Sequence, residues 1–320
     1  MTPQLRQYVP ARSGSPSGGA ASRVFHHDSG GDPHRVDVMI IGAQKAGTSA
    51  LLRYLGMHPR VRPQVVPEMT WFVDPLLQRR SFPASGARYF GGEPRDDRLS
   101  LGKLAGLMYA PEALDRLYEV NPDVHVLVIL REPVARAHSA FGHARARGRE
   151  PLESFEEALV GEPARFADDT SRRVCEYVER SRYANHLPAV FDRFGRGRVH
   201  VLFLEEFLAD PRSVLTDALA PLGLDADDLP VALEQENGAR RARWPGLARV
   251  RWNPFLRTVL RLIPSGSRMR LRRRYVSLNE RPQRRPPLDA DTERRLRVEF
   301  ADANRELARL LGRELPPAWG

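Results

Sequence analysis

The chain alternates short apolar runs with segments of helical periodicity. Val36-Asp37-Val38-Met39-Ile40-Ile41 has the character of a buried strand. It leads through Gly42-Ala43-Gln44-Lys45-Ala46-Gly47-Thr48-Ser49 into Ala50 to Leu55, which has helical spacing, so the pattern reads strand, glycine loop, helix. A second run, Val124 to Leu130, ends at Arg131. Pro133 then suits the first turn of a helix that continues from Ala135 to Arg147. A third run, Val199 to Leu204, ends at Glu205 and follows a periodic segment, roughly Arg172 to Phe194, that predicts a helix. After Asp210-Pro211 the pattern gives another helix, a turn near Leu222 to Leu229, and a closing amphipathic helix from about Asp289 to Leu311. Val61 to Gly106, rich in Pro, Gly and aromatics, reads as a short strand near Val61 followed by irregular excursions. Apolar strands alternating with helices predict an α/β fold, a parallel sheet with helices on both faces, in a single domain over 36–320. Residues 1–35 carry Ser, Gly, Pro, Arg and His with nothing able to pack, and read as a disordered tail without the apolar stretch of a signal peptide.

Composition sharpens this picture at three points. No apolar run approaches the roughly 18 residues of a membrane-spanning helix. The single cysteine, Cys175, excludes an internal disulfide framework and any cysteine-based metal cluster, which predicts a reducing, cytoplasmic home. The net charge of +10 predicts anionic partners, and it is regional: Arg240 to Arg285 holds fifteen Arg against one acidic residue, Glu280. Of the 50 basic residues only Lys45 and Lys103 are lysines. In a chain that writes arginine almost everywhere, a lysine marks a position suited to a compact ammonium.

The candidate chemistry begins at the glycine loop. Gly42 and Gly47 have the separation of a P-loop, but the place after the second glycine is Thr48, and Lys45 sits inside the loop instead. A glycine loop entering a helix N-terminus presents backbone N–H groups and a positive dipole end to an oxyanion. Gln44, Lys45, Ala46, Thr48 and Ser49 are therefore candidate binders with the two glycines. Glu205 or Glu206 is the available stand-in for the acidic residue of a magnesium-dependent NTPase. After the second strand, Arg131 and Ser139 can converge on another phosphate, the guanidinium fork giving paired charged hydrogen bonds and the hydroxyl a third. Two anion sites on one sheet edge imply a ligand phosphorylated at two places.

These residues resemble a known family. Gly42 to Leu55 is similar to the 5′-phosphosulfate loop, and Leu130 to Phe141 to the 3′-phosphate motif, of sulfotransferases that use 3′-phosphoadenosine 5′-phosphosulfate (PAPS). The likeness is nearest the branch of the heparan sulfate sulfotransferases and their bacterial relatives. It extends to Pro67-Glu68-Met69-Thr70-Trp71-Phe72, Gly102-Lys103, Ser181 to Leu187, Val201 to Pro211 and Phe300 to Trp319. The resemblance implies a P-loop-like sheet and sulfuryl transfer to a hydroxyl or amine of a glycan, lipid or small natural product. It implies Glu68 as the base, Lys45 against the leaving phosphate and Lys103 at the reacting centre, with PAPS as co-substrate and no metal. Trp71 and Phe72 are then candidates to desolvate Glu68.

The sequence departs from the family in two places. The disulfide-closed loop of animal members cannot form with Cys175 alone; Ser277 to Pro287 stands there, offering Arg281, Arg284 and Arg285 to the 3′-phosphate. Gly102 to Gly106 lacks the usual Glu-Lys-Thr-Pro form. His138 is a fallback base. The Arg-rich region reads as a lid, a contact for anionic lipid or a carrier protein, or a solvated face. A nucleotide kinase and a basic nucleic-acid-binding protein are the competing functions, nucleic acid being the weaker partner. Acceptor and oligomeric state are not legible.

Overall fold

A computed structural model describes residues 35–92, 96–160, 175–231, 240–242, 280–282 and 288–320. The tail at 1–34, the candidates Arg284 and Arg285, and most of the Arg-rich region lie outside the described residues. All described residues fall within one compact unit.

The elements are β1 (Val38–Gly42), α1 (Thr48–Leu55), β2 (Val61–Pro63), α2 (Phe82–Gly86), β3 (Leu99–Lys103), α3 (Pro111–Val120), β4 (His125–Leu130), α4 (Pro133–Ala146), α5 (Phe155–Leu159), α6 (Leu187–Phe194), β5 (Val199–Phe203), α7 (Leu204–Ala209), α8 (Pro211–Leu219), β6 (Arg240–Ala242), β7 (Glu280–Pro282) and α9 (Ala290–Leu311). Strands β1 to β5 form one parallel sheet in the order β2-β3-β1-β4-β5. Alternate side chains feed two cores, as the strand period requires. Met39, Ile41, Val126, Val128 and Leu130 pack with α3 and α6, whereas Val38, Ile40, Leu127 and Ile129 pack with α1 and α8. A third cluster joins α4, α5, Cys175 and Tyr177 to Leu296 and Phe300 of α9. The α/β architecture with both faces covered is as the sequence predicts.

Two predictions of local structure fail. The segment read as one helix from Arg172 to Phe194 is, over its described part, two short 3₁₀ turns, Glu179–Ser181 and Tyr183–Asn185, followed by α6. Tertiary hydrogen bonds override the periodicity here: Ser181 Oγ donates toward the Pro133 and Tyr177 carbonyls, and Tyr183 Oη to the Arg131 carbonyl. The region read as irregular contains β3, which sits inside the sheet between β2 and β1. Its Gly102 lies under Met39, Met69 and Val36, where a Cβ would come within 2.7 Å of the Met39 sulfur. Close packing of strand and loop therefore selects glycine, and the missing side chain hides the strand's apolar pattern.

From β1 the chain crosses to β2 on one side of the sheet, and from β4 it crosses to β5 on the other. The crevice between the carboxyl ends of β1 and β4 is thus the switch point at which α/β sheets bind ligands. Beyond the sheet, β6 and β7 pair antiparallel, Arg241 opposite Arg281, so the two ends of the Arg-rich region lie side by side. Strand β6 runs beside α4. Among the described residues no helix is long and apolar enough to cross a membrane.

Candidate active site

The glycine loop crosses the switch point. Ala43 N–H donates to the Ile129 carbonyl of β4 at 2.7 Å, which ties the loop to the second strand. Lys45 has φ 74° and Gly47 φ 93°. Gly47 is also the N-cap of α1 and no side chain caps that helix; Ala50 N–H turns back to the Gly47 carbonyl at 2.9 Å, and the Thr48 and Ser49 N–H groups remain for an anion. The positive φ at Gly47 selects glycine, and a Cβ there would also lie 2.6 Å from Leu204 Cδ1 and push that side-chain end aside.

Four cations surround the loop. Arg131 Nη1 donates to the Lys45 carbonyl at 3.4 Å, and Arg136 Nη1 to the Gln44 carbonyl at 3.4 Å. Arg180 Nη1 reaches Gln44 Oε1 at 3.4 Å while its guanidinium lies over the Tyr109 ring at 4.6 Å. Lys45 Nζ stands 3.5 Å from His143 Nδ1. Arg136 is fully buried, and its remaining donors go to Ser181 Oγ at 2.6 Å and to the Tyr177 carbonyl. These acceptors are uncharged oxygens, so its positive charge is left to act on the loop. Burial lowers the pKa of Arg131, with Tyr183, Glu205 and Glu132 pulling it back up.

Arg131 and Ser139 are presented by α4 and the turn before it. Pro133 opens the helix, and Glu132 caps it by accepting from Val134 N–H at 3.0 Å and Ala135 N–H at 2.6 Å. Ser139 is 1% exposed, and its hydroxyl has no hydrogen-bond partner among the described residues. An orphaned buried hydroxyl costs roughly 1–3 kcal/mol. A phosphate oxygen is the kind of acceptor that removes this cost, so these residues fit a nucleotide that carries a second phosphate.

The third group lies where β3 ends. Lys103, 3% exposed, donates from Nζ to Glu68 Oε1 at 2.7 Å and to Ser49 Oγ at 3.3 Å. The other Glu68 oxygen accepts from Ala105 N–H at 3.0 Å. The loop carrying Glu68 is held to the strand by Met69 N–H on the Lys103 carbonyl at 2.8 Å, and Gln64 Oε1 accepts from Lys103 N–H at 2.7 Å. Glu68, Lys103 and Ser49 are thereby brought together at the mouth of the glycine loop. Lys45 is bonded toward α4 instead. Trp71 and Phe72 are buried against Phe82 and Tyr89, and the Glu68 side chain is 35% exposed.

Other candidates take structural duties. His138 tilts against the Phe155 ring at 5.3 Å. Glu205 spends its two oxygens on Glu132 N–H and Trp319 Nε1–H, and Glu206 pairs with Arg313 at 3.1 Å, which leaves the stand-in for an NTPase acid unsupported. Arg136, Arg180, Tyr183 and His143 escaped sequence reasoning. The signal for Arg136 was its place one turn before Ser139 on the same helix face; Arg180 is one arginine among forty-eight.

No family model matches the chain. It is similar to heparan sulfate glucosamine 3-O-sulfotransferase 3A1 of Mus musculus, 28% identical over 226 residues that cover 67% of this chain and 55% of that protein. With heparan sulfate glucosamine 3-O-sulfotransferase 6 of Mus musculus it shares 32% identity over 111 residues, 34% of this chain and 30% of the other. The chain spans about half the length, or less, of the curated relatives it matches. Among solved structures, a sulfotransferase from Alicyclobacillus acidocaldarius has a similar fold, with a TM-score of 0.62 and 26% identity over 89% of this chain and 98% of that one. In sequence and in fold the chain is thus similar to sulfotransferases, the likeness that the motifs imply.

Proposed function

We propose that the protein moves a sulfuryl group from PAPS to a hydroxyl or amine of an acceptor, with Glu68 as the base. The observation that carries the reading is the Lys103 ammonium bridging Glu68 and Ser49, which ties a carboxylate to the anion-binding loop. Bound PAPS supplies the sulfuryl group and departs as the bisphosphate. The loop residues Gly42, Gln44, Lys45, Ala46, Gly47, Thr48 and Ser49 hold the 5′ end, through the N–H groups that the fold does not already use and the Thr48 and Ser49 hydroxyls. Lys45 sets its ammonium against the charge that grows on the leaving side, and Arg131 with Ser139 holds the 3′-phosphate. Glu68 has two oxygens fixed by N–H donors and keeps lone pairs open on its exposed side, where it takes the acceptor proton. Lys103 fixes that carboxylate. Arg284 and Arg285 remain proposed partners of the 3′-phosphate.

The names of the relatives make a glucosamine-containing glycan the first acceptor to try, ahead of lipids and small natural products. The Arg-rich region, whose first strand runs beside α4, is proposed as a lid or as a contact for anionic lipid or a carrier protein. A cytoplasmic, bacterial setting and a metal-free reaction belong to the same proposal. The test is PAPS consumption across a panel of sulfate-free glycans, phenols and lipid alcohols. Acceptor-dependent release of the bisphosphate supports the reading, provided that Glu68→Gln slows it by roughly 10²–10⁴. Release that ignores both the acceptor and Glu68 contradicts it.

A further inference from the structure

The peptide unit joining Arg131 to Glu132 is gripped at both ends. Its carbonyl oxygen accepts from Tyr183 Oη at 2.8 Å. Its N–H, supplied by Glu132, donates to Glu205 Oε1 at 2.9 Å. These two side chains come from segments far apart in sequence, and both rest on the same residue. Trp319 donates from Nε1 to Glu205 Oε2 at 3.2 Å, and its ring lies tilted against the Tyr183 ring with centroids 5.8 Å apart.

Trp319 is itself firmly seated. It is 5% exposed and meets the Phe203 ring edge to face at 5.1 Å. Asn304 Nδ2 of α9 donates to its carbonyl at 3.2 Å, and Arg297 Nη1 donates to the Ala318 carbonyl at 3.2 Å. Burial raises the Tyr183 pKa far above its ordinary value, so that phenol remains a donor at any working pH.

We propose that Trp319 is a positioning residue for the nucleotide: through Tyr183 and Glu205 it sets the plane of the Arg131–Glu132 peptide, and so aims the Arg131 guanidinium at the 3′-phosphate. The physical argument is that a peptide plane held at both its oxygen and its nitrogen fixes the Arg131 Cα, and with Leu130 paired to Phe203 in the sheet just before it, little rotation remains to the Arg131 Cα–Cβ direction. An arginine with a fixed base loses less freedom when it forms its ion pair, which is the usual origin of a preorganised anion site. The proposal rests on the reading of Arg131 as the 3′-phosphate arm.

The experiment compares adenosine 3′,5′-bisphosphate with adenosine 5′-monophosphate, by calorimetry, on the full chain and on Tyr183→Phe and Trp319→Phe. Both replacements keep an aromatic ring in place and remove one hydrogen bond. The wild-type protein binds the bisphosphate more tightly, and the ratio of the two affinities measures use of the 3′-phosphate. Each variant should lower that ratio by about three- to tenfold, the worth of one hydrogen bond, through the bisphosphate alone. Equal weakening of both nucleotides identifies a merely structural residue and overturns the proposal, as does an unchanged ratio in Trp319→Phe, whatever Tyr183→Phe does. A wild-type protein that prefers neither nucleotide overturns the reading of Arg131, and the proposal with it.

Discussion

Replacing Ser139 by alanine is predicted to act with opposite sign on stability and on binding. The hydroxyl is buried and has no partner among the described residues, so the folded protein carries the desolvation cost of a polar group, roughly 1–3 kcal/mol, with nothing to offset it. Ala also has the higher helix propensity, by about 0.5 kcal/mol, at this interior position of α4. After the lost packing of one small atom, Ser139→Ala should be more stable by about 1–2 kcal/mol in the absence of nucleotide. With the bisphosphate present the hydroxyl makes a hydrogen bond to a charged acceptor, worth about 1.5–3 kcal/mol, so the variant should bind roughly ten- to hundredfold more weakly. Urea unfolding with and without adenosine 3′,5′-bisphosphate reads both effects, because ligand stabilisation falls as the dissociation constant rises. A variant destabilised by more than about 1 kcal/mol without nucleotide, or one whose bisphosphate affinity stays within about twofold, would refute the reasoning.

Three further outcomes follow from the geometry. Glu68→Gln should keep bisphosphate affinity within about threefold while turnover falls by roughly 10²–10⁴, checked by pairing calorimetry with single-turnover PAPS consumption. Gly47→Ala combines a φ of 93° with a 2.6 Å approach to Leu204, and should lose bisphosphate binding and at least about 1–2 kcal/mol of stability in denaturant titration. At the amino end of the sheet, His125 Nδ1 lies 3.3 Å from His200 Nε2. Burial first, then His200 and Arg198, depress the His125 pKa to about 4, against the pull of Asp123 and Asp37. Burial lowers that of His200 as well. The unfolded chain therefore binds more protons below about 6.5, so stability is whole above that pH and declines toward pH 4, by about 1–2 kcal/mol for His125 once its partial exposure is allowed for. His125→Gln should flatten that slope in urea midpoints measured from pH 7.5 to 4.5.

What the sequence disclosed depended on whether a residue's neighbours in the chain are also its neighbours in space. The strand–loop–helix from Val38 to Leu55 and the strand–turn–helix from His125 to Ala146 are local units, so their apolar periods and glycine spacing show directly. The two lysines stood out against the arginine background, and both came to rest on the glycine loop, one within it and one bonded to Ser49. Strand β3 was obscured because Ser100 and Gly102 occupy buried places where an apolar side chain would have announced a strand. The turns before α6 were obscured because Ser181 and Tyr183 are held by α4 and the Arg131 turn, partners some fifty residues away. Arg136 is of the same kind. Its spacing from Ser139 marked its helix face, but its burial and its grip on Gln44 come from the packing of α4 beneath the loop.

The central claim is that the glycine loop and the Arg131 turn together bind a nucleotide phosphorylated at two places. Calorimetric titration with adenosine 3′,5′-bisphosphate, run beside ATP with magnesium, tests it most directly. The account predicts micromolar binding of the bisphosphate that ATP does not match and that weakens by at least about tenfold in both Lys45→Ala and Arg131→Ala, each of which removes a charged contact. Failure to bind the bisphosphate, or tight magnesium-dependent binding of ATP in its place, would contradict the account.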